Sequence, residues 1–225
     1  MDAKGLFIAD NEFEKKLSEL KRQFHSRMNG ETAAQMRGGN LGYEVNYGAS
    51  LMHIREIAAE WQLSAEECKQ LWQLSIREAR IVALMAYPDD NAPLETLKEW
   101  ADGVSNSELV ELSAQYLFAR QAFADDFIIA LCDERAEYTK ALAFYTAGRV
   151  LQRGKNLSDR AFAAMDKAVE DLGDTSVCEQ RALSFFGRQT ARRDPERAKK
   201  YIDMLNAKSR RELASVTYDI ENELF

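Results

Sequence analysis

With 225 residues, 46% of them hydrophobic and 30% charged, the chain can bury a sizeable core and reads as a folded protein rather than a disordered one. No apolar run nears the roughly 20 residues of a membrane-crossing helix, and MDAKGLFIADNEFEKK lacks the basic start and apolar core of a secretory leader, so a cytoplasmic protein with no membrane partner is expected. The net charge of −7 speaks against general affinity for polyanions; Cys68, Cys132, Cys178, His25 and His53 each stand alone, so neither a metal site nor a disulfide framework is expected.

In chain order, Phe13, Leu17, Leu20 and Phe24 recur at helical spacing and predict a helix over 11–28. The Gly-rich stretch 30–49 predicts a loop with one short helix near Thr32–Arg37. A helix over 50–61 follows, and Ser64 with Glu67 three residues on makes a capping box for the next. The segment LWQLSIREARIVALMAY (71–87) reads as one helix, with Arg77 and Arg80 projecting from nearly the same face and Glu78 about 100° away. Two guanidinium groups so placed suit a phosphate, or acids of a neighbouring helix. YPDDNAP (87–93) is a turn, Gly103 ends a helix over 94–102, and Ser105 or Ser107 caps a helix running to about Arg120. Further helices are expected over 123–132, 134–153, 158–172, 176–193, 195–206 and 208–222, with Asp194-Pro195 as cap and first-turn proline.

No strand alternation appears. Ten or eleven helices joined by short turns predict an all-α fold, a HEAT-like helical repeat solenoid forming a single domain over 1–225 with a concave groove. Charge is uneven along it. Residues 176–211 hold ten Lys or Arg, among them Arg181, Arg188, Arg192 and Arg193, against four acids. Such a local patch binds phosphates whatever the global sign. No Walker loop, GxGxxG, GxSxG or HExxH motif occurs, and no cofactor is expected.

The segments YGASLMHIREIAAEW (47–61) and LWQLSIREARIVALMAYPDD (71–90) resemble the start of the bacterial DNA alkylation repair family of HEAT-repeat proteins, in Gly48, Ile54 to Ala58, Leu71-Trp72, Ile76 to Ile81 and Pro88-Asp89. Residues Val177 to Leu205 are similar to that family's C-terminal helix pair, and 106–119 sit where it has a third repeat; the resemblance spans about residues 20–206. It implies a monofunctional glycosylase that excises cationic N3- or N7-alkylpurines from double-stranded DNA, gripping the backbone without a deep base pocket and without metal. A carboxylate would stabilise the sugar cation that develops as the glycosidic bond breaks.

Carried over residue by residue, the resemblance implies Glu111 as the carboxylate, Lys140 near the position of a family Arg, and Phe185 as the C-terminal aromatic. Ser107 stands where the family has a Trp, and Glu111 is one methylene longer than the family Asp. Arg77, Arg80, Arg181, Arg188, Arg192 and Arg193 are the candidate DNA-backbone contacts. Three readings stay open. A glycosylase needs Glu111 beside Phe185 and Lys140. A non-catalytic binder of bent or branched DNA needs only the basic patch. A scaffold for a protein partner, which a pI near 5.1 suits, needs an acidic or apolar groove.

Overall fold

The computed structural model describes residues 3–39, 41–134, 136 and 138–224, with side chains from residue 12 onward. Among the described residues it is all-α, with thirteen α-helices and one isolated bridge between Val45 and Ile76. No helix among them is long and apolar enough to cross a membrane. The chain divides into two compact units, Met1–Asp89 and Asp90–Phe225.

The first unit holds α1 (Ala3–Ser26), α2 (Gly30–Gly38), α3 (Leu51–Glu60), α4 (Ala65–Gln73) and α5 (Arg77–Ala86). Leu17, Leu20 and Phe24 of α1 are buried, as their spacing predicts, and the Ser64–Glu67 capping box forms at the start of α4. The stretch expected as one helix over 71–87 is instead two. Leu74 and Ile76 are extended, where Val45 donates to the Ser75 carbonyl and Arg77 donates to that of Val45 (3.1 and 3.0 Å). A short strand-like pairing here outcompetes helix continuity, and Ile76 becomes the N-terminal flank of α5.

The second unit holds α6 (Leu94–Asp102), α7 (Ser107–Tyr116), α8 (Ala124–Asp133), α9 (Thr139–Gln152), α10 (Asp159–Glu170), α11 (Val177–Ala191), α12 (Pro195–Ala207) and α13 (Ala214–Glu221). The residue that caps α7 is Asn106, not Ser105 or Ser107. Its side chain accepts from Leu109, and the helix yields to a 3₁₀ turn at Phe118–Arg120 rather than running on. A capping box of Ser176 and Glu179 opens α11, and Asp194 caps α12 with Pro195 in its first turn. The core is aromatic: Phe144, Phe186 and Tyr201 pack with centroids 5.9 and 5.6 Å apart.

Asp166 ties α10 to α12. It accepts from Tyr201 Oη (2.6 Å), Arg197 Nη1 (2.8 Å) and Lys200 Nζ (3.4 Å), while the Arg197 guanidinium lies 4.2 Å over Phe162. Burial and the Asp166 carboxylate push the Tyr201 phenol far up, so it remains a donor at any working pH. Asp166→Ala removes the acceptor for three donors, and thermal melting should show a loss of about 2 kcal/mol.

Candidate functional site

Four helices of the second unit wall an open cleft of about 450 Å³. From α7 comes Glu111; from α9, Tyr145; from α11, Val177, Arg181, Ser184, Phe185 and Arg188; from α13, Val216 and Asp219. The α11 residues lie at i, i+4, i+7, i+8 and i+11, which is one face of a helix. Helix α9 adds Arg149, one turn beyond Tyr145 on the same face.

The contacts run in a chain. Arg149 Nη2 meets Glu111 Oε1 at 3.1 Å, and the same guanidinium sits 4.6 Å from the centre of the Phe185 ring. Tyr145 packs against Phe185 with centroids 5.6 Å apart. Arg149 is mostly covered, its side chain 14% exposed, whereas half of Glu111 faces solvent. A guanidinium held between an aromatic face and a carboxylate is fixed in direction, so the pair presents a preset polar surface. Tyr145 is pushed up to about 12 by burial and by the Glu111 charge, which keeps its hydroxyl a donor. Burial and neighbouring Glu179 raise the Cys178 thiol to about 11, which disfavours the thiolate.

The sequence-derived candidates separate. Glu111, Phe185, Arg181 and Arg188 line this one cleft. Lys140 does not join them. It lines another cavity with Cys132, Lys167 and Glu179, because it lies nine residues before Arg149 on α9, about 14 Å along the axis. The arginine beside the carboxylate is Arg149, which sequence reasoning missed; its signal was the four-residue step from Tyr145. Ser107 opens α7 at the surface.

Arg77 is buried rather than presented at the surface. It is 3% exposed, and Nη1 donates to the Ala49 carbonyl (3.0 Å) and to Glu78 Oε1 (3.1 Å). Arg80 is half-buried, 5.1 Å over the Trp72 ring, with Nε on the Leu74 carbonyl. Arg80 therefore braces the α4–α5 junction, and Arg77 ties the start of α5 to the 45–49 segment.

Much of the basic stretch over 176–211 is likewise spent within the fold. Glu223 grips Arg192 through both oxygens (2.7 and 2.9 Å) and lies 3.4 Å from Arg188. Arg193 donates to the Leu151 carbonyl, and Arg210 pairs with Asp174 and Glu212. Arg181 is exposed in the cleft with no carboxylate within 4.0 Å among the described residues.

Residues 20–218 match the model of the family described as DNA alkylation repair enzyme. A solved structure, of a new family of proteins related to the HEAT-like repeat DNA glycosylases with affinity for branched DNA structures, superposes with a TM-score of 0.74 at 15% identity, covering 92% of this chain and 93% of that one. No curated protein matches the sequence. The fold is thus HEAT-like as well as all-α.

Proposed function

This chain belongs to the DNA alkylation repair enzyme family, and on that premise we propose that its second-unit cleft receives the sugar–phosphate backbone of double-stranded DNA and promotes release of cationic alkylpurines. The observation that carries the reading is the linked set Glu111, Arg149 and Phe185, of which Glu111 and Phe185 line an open cleft with Arg181 exposed in it. Arg181 supplies a charge for a phosphate. Phe185 supplies a face against the sugar, and Glu111 a carboxylate near the C1′ cation. A cationic purine is already a good leaving group, so modest electrostatic help suffices.

A duplex carrying 7-methylguanine tests this. The wild-type protein should release the base, and Glu111→Gln should slow release about tenfold while leaving affinity little changed. Arg181→Ala should weaken binding and flatten its salt dependence by about one unit of slope. Binding without release would favour a second reading, a non-catalytic binder. Two observations support that alternative: Arg149 neutralises Glu111, and Ser107 replaces the family's Trp. The solved neighbour's affinity for branched DNA makes a four-way junction the natural second probe.

A further inference from the structure

The cleft holds a second carboxylate, Asp219 on α13, one residue beyond the family match. Its environment differs from that of Glu111. Glu111 shares its charge with Arg149 at 3.1 Å, so the pair is neutral overall. Asp219 has a neutral partner: Ser184 Oγ donates to Oδ2 at 2.5 Å. Among the described residues no Lys or Arg nitrogen lies within 4.0 Å of it.

The position of Asp219 is built in. Helix α13 lies close on α11 because Gly187 has no side chain: a Cβ there would stand 2.3 Å from Ile220 Cδ1. Ile220 is fully buried, which fixes the rotation of α13 and turns Val216 and Asp219, three residues apart, toward the cleft. Ser184 is itself buried and holds one carboxylate oxygen in place, at a separation typical of a strong hydroxyl–carboxylate bond.

We propose that Asp219 is the carboxylate whose net charge faces the positive centre in this cleft, a role that rests on the reading of the cleft as a DNA site. A neutral ion pair acts on a nearby cation only as a dipole, whereas a carboxylate partnered by a hydroxyl acts as a full charge. In alkylpurine release the bond between C1′ and the purine nitrogen breaks, and its electron pair goes to the purine, which leaves neutral. The sugar carries the positive charge until a water oxygen bonds to C1′ and the water gives a proton to solvent. Asp219 stabilises the sugar cation through that interval, with Ser184 as its positioning residue.

The test uses two duplexes that differ only in charge at the sugar: one carries a cationic pyrrolidine in place of the deoxyribose, the other a neutral tetrahydrofuran. The wild-type protein should prefer the cationic duplex about tenfold. Asp219→Asn should lose that preference while still binding the neutral duplex. Asp219→Glu, which retains the charge, should retain a preference, and Ser184→Ala should reduce it by a few fold. Equal preference in wild type and Asp219→Asn would overturn the proposal, as would no preference in the wild type. Release of 7-methylguanine is scored separately. A cation preference without release would sink the glycosylase reading and leave the Asp219 site standing; release with an indifferent Asp219→Asn would do the reverse.

Discussion

Glu78→Ala should destabilise the protein by about 3–5 kcal/mol, the range for removing one partner of a buried ion pair. Glu78 is fully buried, and its carboxylate is fully used. Oε1 accepts from Ala49 N (3.2 Å) and Arg77 Nη1 (3.1 Å), and Oε2 accepts from Tyr47 N (3.1 Å). Arg77 Nη1 also donates to the Ala49 carbonyl. The pair therefore extends the Val45 bridge, satisfying the amides of Tyr47 and Ala49 and the Ala49 carbonyl from the first turn of α5. Alanine strands two amide hydrogens in the core and removes the carboxylate beside the 3%-exposed Arg77 guanidinium. Glu78→Gln keeps the shape but offers one acceptor oxygen to three donors, and should cost roughly half as much. Urea unfolding followed by circular dichroism reads both. A shift below about 1 kcal/mol for the alanine variant would mean that water enters and solvates the junction.

That junction also marks where the sequence was legible and where it was not. Local signals worked where the physics is local. The helix over 94–102 with Gly103 as its stop, the Ser64–Glu67 box and the Asp194-Pro195 start all appear as written, since caps and first-turn prolines act over three or four residues. The segment 71–87 misled because its helical periodicity is real on both sides of the break. What interrupts it is Val45, some thirty residues away. The arginines of 176–211 misled in the same way. Their partners Glu223, Asp166 and Asp174 are distant in sequence or on other helices, so the stretch looks like a patch when read alone. Glu111 and Phe185 were found through family resemblance. Arg149 and Asp219 emerged only when α9 and α13 were placed against α11.

Gly148→Val, in the middle of α9, should cost about 3 kcal/mol, at the upper end for overpacking a close helix–helix contact. A Cβ at this position would stand 2.7 Å from two Phe185 ring carbons and 3.2 Å from the Phe186 Cα. The ring can yield, since Phe185 is only half-buried beside the cleft; the backbone at Phe186 cannot without moving α11. Valine forces both. Gly148→Ala presses mainly on the ring, so it should cost nearer 1 kcal/mol and swing Phe185 into the cleft, away from Arg149. The two variants then report different things. Melting should rank valine well below alanine. On the proposed reading, affinity for duplex DNA, measured where both remain folded, should already fall in the alanine variant, because the displaced ring occupies space assigned there to the sugar–phosphate backbone. If Gly148→Ala binds DNA as the wild type does, then Phe185 is a packing residue of the α9–α11 contact, and the aromatic face assigned to the cleft has no part in recognition.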